Sequence, residues 1–135
     1  MSAKTYHGTC HCGAVRYRVT LDLRQGTGRC NCSICRKTRK WGAHVKPAAF
    51  ELLAGDDVLG DYQFGTLQGH HRFCRRCGIH VFGHGHIAEI GGDFVSVNLG
   101  CLDDADDAEL AAAPVRFFNG RDDAWLEPPA ETRHL

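Results

Sequence analysis

The chain has 135 residues and a mass of 14.9 kDa, the size of one domain. Sixteen Lys and Arg balance sixteen Asp and Glu, so the basic excess that duplex nucleic acid demands is missing, and no apolar run approaches the roughly 20 residues that cross a bilayer. At 43% hydrophobic and 24% charged residues the composition is that of a folded domain rather than a disordered tail, and its outlier is cysteine, with eight.

In chain order, the first residues, Met1 to Gly8, carry no apolar stretch of the kind a secretion signal needs, which gives a cytoplasmic expectation. In that compartment dense cysteine points to metal before disulfides. Val15 to Leu21 alternates apolar and polar residues and predicts a half-buried strand. A short helix is expected from about Ser33 to Arg39. Short strands are expected at Ala43–Val45, Phe50–Leu53, Tyr62–Phe64, His71–Phe73 and Ile79–Phe82, separated by Gly- and Asp-rich turns. Gly83-His84-Gly85-His86 reads as a surface loop, and Val95 to Leu99 as another alternating strand. A second helix is predicted from Asp103 as N-cap through Ala113, stopped by Pro114, with the acid run Asp103 to Asp107 at its favourable dipole end. The tail from Glu127 to Leu135 reads as a loose terminus. The fold class is therefore mainly β, a single domain over residues 1–135 with many short strands and one or two short helices.

Seven cysteines form three groups: Cys10-His-Cys12-Gly13, Cys30-Asn-Cys32-Ser-Ile-Cys35, and Cys74-Arg-Arg-Cys77-Gly78. Zinc takes four thiolates in a tetrahedron with Zn–S of about 2.3 Å, which puts the sulfurs under about 4 Å apart. A C-x-x-C turn meets that requirement, and so does C-x-C, whose residues i and i+2 face one side of an extended chain. Two such pairs, Cys10/Cys12 and Cys74/Cys77, complete one closed, structural site. Cys30, Cys32 and Cys35 supply three thiolates and leave a fourth position open, which is how catalytic zinc sites are built. Water, a substrate thiol, Cys101 or a histidine are the candidates for that position, and spacing alone leaves open how the cysteines are shared between sites. Seven thiolates and two divalent ions would bring the formal charge to about −3, which weakens a nucleic-acid partner further.

Arg29, Arg36, Lys37, Arg39 and Lys40 flank the three-cysteine group. They form either a solvated helix face or a receptor for an anionic ligand, with Arg29, Arg36 and Arg39 as the binding candidates because a guanidinium fork suits carboxylates. Trp41 either walls this pocket or joins the core. His44 and His80 alternate with apolar residues and either could face the pocket. Cys101 reads as a buried structural thiol.

The patterns Gly8-x-Cys10-x-Cys12-Gly13, Cys30-x-Cys32-Ser33-x-Cys35-Arg36 and Phe73-Cys74-x-x-Cys77-Gly78, with the later Val97-Asn98-Leu99-Gly100 and Leu102-Asp103-Asp104, resemble the glutathione-dependent formaldehyde-activating enzyme family, which includes centromere protein V. The resemblance runs from about Tyr6 to Phe117. It implies a β-tent zinc fold, a structural zinc on Cys10, Cys12, Cys74 and Cys77, and a catalytic zinc on Cys30, Cys32 and Cys35. It also implies carbon–sulfur lyase chemistry on glutathione adducts, with S-hydroxymethylglutathione made from formaldehyde and glutathione. The expected partners are thus a small thiol and an aldehyde, with His44 a guess for the proton donor. The competing expectations are a non-catalytic zinc scaffold for a protein or nucleic-acid partner, and a thiolate metal or redox sensor.

Overall fold

A computed structural model describes residues 3–135. In chain order the elements are β1 (Lys4–Thr9), β2 (Arg16–Leu21), β3 (Thr27–Cys30), α1 (Ser33–Thr38), β4 (Gly42–Val45), β5 (Phe50–Ala54), β6 (Leu59–Tyr62), β7 (Gly69–Cys74), β8 (His80–Ile87), β9 (Gly92–Asn98), α2 (Asp107–Ala112) and β10 (Val115–Phe118), with short 3-10 turns between some of them. They make a three-stranded sheet, β1-β2-β5, and a seven-stranded sheet, β10-β3-β4-β9-β8-β7-β6. Every pairing is antiparallel except β3 with β10. The mainly β class read from the sequence is the class observed, with this one parallel pair added. No helix among the described residues is long and apolar enough to cross a membrane.

The core lies between the two sheets, and β2 shows why. Its Tyr17, Val19 and Leu21 are buried while Arg16, Arg18 and Thr20 are exposed, the period-two pattern of a strand with one wet face. Val81, Phe82, Val95, Val97 and Leu99 of the larger sheet's side meet them. Tyr17, Phe50 and Phe82 join the sheets as an aromatic cluster, with centroids 5.2 Å (Tyr17–Phe50), 6.3 Å (Tyr17–Phe82) and 4.7 Å (Phe50–Phe82) apart. Each buried side chain of this size contributes about 1.5–3 kcal/mol of transfer free energy.

The structure differs from the sequence reading in five places. Strands β1, β3 and β10 were not expected. Strand β6 spans Leu59–Tyr62, earlier than the expected Tyr62–Phe64. The Gly83-to-His86 run is not a loop but the middle of β8, where His84 pairs with Val95 and His86 with Asp93; the glycines fit because strand neighbours cover them. The N-cap of α2 is Asp106, not Asp103, because Asp106 and Glu109 form a reciprocal capping box with both bonds present. Asp103 and Asp104 instead fasten β1: Thr9 Oγ1 donates to Asp103 Oδ2 (2.8 Å) and the His7 amide to Asp104 Oδ1 (2.8 Å). The tail has no helix or strand, yet Pro129 is buried and Arg39 Nη1 donates to the His134 carbonyl at 2.6 Å, so it is tied back to the end of α1.

Candidate metal centres and the adjoining cleft

Two turns build the first thiol cluster. In the turn after β1, the Cys10 amide donates to the Val15 carbonyl (3.1 Å) and the Val15 amide to Cys10 Sγ (3.3 Å). In the β7–β8 turn, the Cys74 amide donates to the Ile79 carbonyl (3.0 Å) and the Arg76 amide to Cys74 Sγ (3.4 Å). Each turn reverses through a glycine in the left-handed region, Gly13 at φ +82° and Gly78 at φ +81°, where a side chain would be strained. The Sγ atoms of Cys10, Cys12, Cys74 and Cys77 all lie within 4.8 Å of one another. Two of the separations are 3.6 Å (Cys10–Cys12) and 3.7 Å (Cys12–Cys74). A tetrahedral zinc with Zn–S of about 2.3 Å requires about 3.8 Å between sulfurs, so this donor set fits the ion. The amides of Ile79 and Cys12 pull the Cys77 thiol down to about 6, which favours the thiolate that a metal needs.

The second cluster hangs on the parallel pair. Cys30 ends β3 opposite Phe118 of β10. Cys32 is the N-cap residue of α1 and Cys35 lies in its first turn. Their three sulfurs also lie within 4.8 Å of one another, and among the described residues no fourth Cys, His, Asp or Glu joins them. Hydrogen bonds from the Cys30 and Cys35 thiols pull the Cys32 thiol down, with the Cys35 and Ile34 amides acting in the same direction. The same sharing holds the Cys35 thiol well above the ordinary range. Three thiols that contend for one negative charge are a donor set that a divalent cation satisfies. Cys101 belongs to neither cluster: it is buried, its Sγ points at the His80 carbonyl (3.8 Å), and burial pushes its thiol up to about 11.

A buried asparagine supports the second cluster. Asn31 is 2% exposed. Its Nδ2 donates to Asn119 Oδ1 (2.9 Å), and its Oδ1 accepts from the Arg121 amide (3.0 Å). This fastens the segment after β10 beside the cysteines. Gly120 sits there because a Cβ would lie 2.8 Å from Cys30 Sγ and 2.5 Å from the Trp125 ring. Neither Asn31 nor Trp125 was singled out in the sequence. The asparagine between two cysteines offered a weak signal; Trp125 offered none.

A cleft opens against Cys35, lined by Ile34, Thr38, Lys40, His71, His80, Phe82 and Asn98. Arg39 takes the left-handed conformation (φ 59°, ψ 36°) and the Lys40 amide donates back to the Cys35 carbonyl (3.2 Å), so the chain reverses at the end of α1. That reversal brings Lys40 into the cleft. Burial pushes its pKa down, while the thiols of Cys35, Cys32 and Cys30 act in the opposite direction. Burial, followed by the Lys40 charge, also lowers His71 and His80 and keeps both imidazoles neutral at pH 7. The other basic residues lie elsewhere. The Arg29 guanidinium stacks over the Trp41 ring at 5.2 Å, Arg36 and Lys37 are exposed on α1, and Arg39 holds the tail. Trp41 is half-buried against the core and donates to Thr27 Oγ1 at 2.7 Å. His44 stacks on Phe94 (centroids 4.7 Å) and does not line the cleft.

The family model of the glutathione-dependent formaldehyde-activating enzymes matches residues 5–119. A Halomonas elongata protein provisionally named a glutathione-dependent formaldehyde-activating enzyme is 37% identical over 78 residues, 52% of this chain and 50% of that protein. The chain thus spans about half the length of the curated relative it matches. A crystal structure of a Rhodobacter sphaeroides protein superposes with a TM-score of 0.67 at 32% identity, over 82% of this chain and 99% of that one. All seven clustered cysteines and the cleft residues lie inside the matched segment. The chain belongs to the glutathione-dependent formaldehyde-activating enzyme family.

Proposed function

We propose that the chain is a zinc-dependent enzyme of carbon–sulfur bond formation, which joins formaldehyde to the glutathione thiol to give S-hydroxymethylglutathione and cleaves the same bond in reverse. Cys10, Cys12, Cys74 and Cys77 hold a structural zinc; Cys30, Cys32 and Cys35 hold a second with a position left for the thiol. The observation that carries this reading is a three-thiol cluster that no fourth ligand joins among the described residues, set against a cleft lined by Lys40, His71 and His80.

Zinc at the second cluster supplies Lewis acidity, lowering the pKa of a thiol that reaches it. The chain does the rest. Cys30, Cys32 and Cys35 fix where the sulfur sits. His71 and His80 are neutral and line the same cleft, so either can accept the thiol proton. Ile34 and Phe82 give the cleft apolar wall that limits water. Arg36 and Lys37, exposed beside the cluster, attract an acidic tripeptide to its mouth.

Carbon-13 NMR of labelled formaldehyde with glutathione tests the reading. The protein should accelerate both formation of the S-hydroxymethyl carbon and its exchange with free formaldehyde. Cys32→Ser should stay folded and lose that acceleration. Exchange at the uncatalysed rate with the fully zinc-loaded protein would remove the enzyme reading and leave the scaffold.

A further inference from the structure

Among the described residues one cation, Lys40, lines the cleft, and its position is specific. Lys40 Cε lies 3.0 Å from where a Cβ would project at Gly42, and Lys40 Nζ lies 3.9 Å from the corresponding point at Gly83. The side chain therefore runs across the large sheet from β4, past β9, towards β8, in space that two glycines leave open. Among the described residues Lys40 makes no ion pair and no side-chain hydrogen bond. Other basic side chains do have partners: Lys4 meets Glu109 at 2.8 Å and Arg24 meets Asp22 at 3.0 Å. An ammonium withdrawn from water without a partner is costly unless opposite charge is close. Here the charge of the thiol cluster offsets it, and its N–H donors remain free towards the cleft.

We infer that Lys40 Nζ is the donor that holds the substrate oxygen: it binds the carbonyl of the aldehyde and, as the bond forms, the developing alkoxide of the S-hydroxymethyl adduct. The inference rests on the reaction proposed above and assigns the group that carries its charge. A sulfur lone pair forms the S–C bond. The C=O π bond breaks and its electron pair goes to oxygen, which Lys40 holds by hydrogen bond until the proton that His71 or His80 took from the thiol, relayed through water, completes the hydroxyl and leaves the histidine neutral. In reverse, the hydroxyl proton goes back to the histidine, the oxygen's electrons re-form the C=O bond, and the S–C pair leaves with sulfur as the thiolate. A fixed donor at the atom where charge develops is the arrangement that favours a transition state over the ground state. It also predicts selectivity. Thiols bearing an oxygen a short reach from sulfur should bind better than plain alkyl thiols.

Lys40→Met keeps the aliphatic stem over Gly42 and removes the donors; Lys40→Arg keeps a cation of different shape. Two readouts are needed on zinc-loaded protein. The first is calorimetric binding of mercaptoacetate against ethanethiol. The wild type should prefer mercaptoacetate, and Lys40→Met should weaken mercaptoacetate at least about tenfold while leaving ethanethiol unchanged. The second is turnover. In Lys40→Met, kcat should fall about 100-fold or more, the loss typical of one oxyanion donor, with KM for glutathione within about twofold and zinc content unchanged. Lys40→Arg should recover part of the loss. Should Lys40→Met misfold, Lys40→Gln replaces it in both readouts. Equal mercaptoacetate binding in variant and wild type, or an unchanged kcat, overturns the role of Lys40 even if the protein is an active enzyme. Lysine-dependent mercaptoacetate binding without any turnover in wild type supports the oxygen donor and overturns the formaldehyde reaction instead.

Discussion

Replacing Cys74 with serine tests whether the first cluster is a structural cross-link. Cys74 is fully buried at the end of β7, and its sulfur lies 3.7 Å from that of Cys12, 62 residues away. A cross-link that closes a loop of that length lowers the entropy of the unfolded chain by an amount worth about 4 kcal/mol at 25 °C. The same relation gives about 2 kcal/mol for the short loop from Cys30 to Cys35, whose ends are already near neighbours in the unfolded chain. Total stability for a domain is about 5–15 kcal/mol, so the first loss is a large fraction and the second a small one. Urea unfolding of zinc-loaded proteins should show Cys74→Ser displaced by at least about 4 kcal/mol or unfolded outright, and Cys32→Ser displaced by about 2 kcal/mol or less. If Cys74→Ser cannot be purified, stepwise chelation of wild type gives the same comparison: one zinc should leave with far-ultraviolet circular dichroism intact, and the signal should collapse with the other. A Cys74→Ser protein with wild-type midpoint and two zinc ions, or two ions that leave wild type without unfolding it, would refute the cross-link.

Three further outcomes follow from named contacts. Glu109 accepts from Lys4 Nζ (2.8 Å) and the Tyr6 hydroxyl (2.7 Å), which hold its carboxyl down at about 2. The unfolded carboxyl titrates near 4.3, so Glu109 stabilises fully above that pH, and its contribution is lost as pH falls through about 2; in acid titrations compared pH by pH, Glu109→Gln should show a shallower decline, and parallel curves would contradict the assignment. Asn31→Ala removes the acceptor of the Arg121 amide and the donor to Asn119; hydrogen exchange should speed up across residues 119–126 and stability fall by about 1–3 kcal/mol, whereas unchanged exchange would show that the segment is held by other contacts. Gly8→Ala would place a methyl group onto the fully buried Tyr17 ring, so thermal unfolding should report a loss of about 1–3 kcal/mol, and no loss would mean that the ring can move.

The parts of the molecule that were readable from sequence share a local cause. Strand β2 shows its period-two pattern within six residues, and each cysteine pair shows chelating spacing within four, so both the strand and the two thiol clusters were legible. Helix α1 was legible for the same reason, its boundary falling at the residue next to the expected one. The start of α2 was misplaced because four aspartates compete to cap it. Only the Asp106–Glu109 spacing makes a reciprocal box, and tertiary bonds to β1 use Asp103 and Asp104. Strand β10 exists through parallel pairing with β3, some 88 residues away in sequence, and no local pattern records that partner. The cleft was the least legible part. Its groups come from α1, the turn after it, β7, β8 and β9, so the basic run could be seen but not which member turns inward. The left-handed Arg39 decides it, placing Lys40 in the cleft and leaving Arg39 to hold the tail.

Cobalt substitution with and without glutathione tests the central claim most directly, because thiolate-to-metal absorption counts sulfur ligands. The account predicts two cobalt ions per chain, one with four thiolates and one with three. Added glutathione should raise the thiolate band at the second alone, and Cys32→Ser should abolish that rise. Two complete four-thiolate sites before any thiol is added, or a spectrum that glutathione leaves unchanged, would contradict an open three-cysteine centre and with it the proposed chemistry.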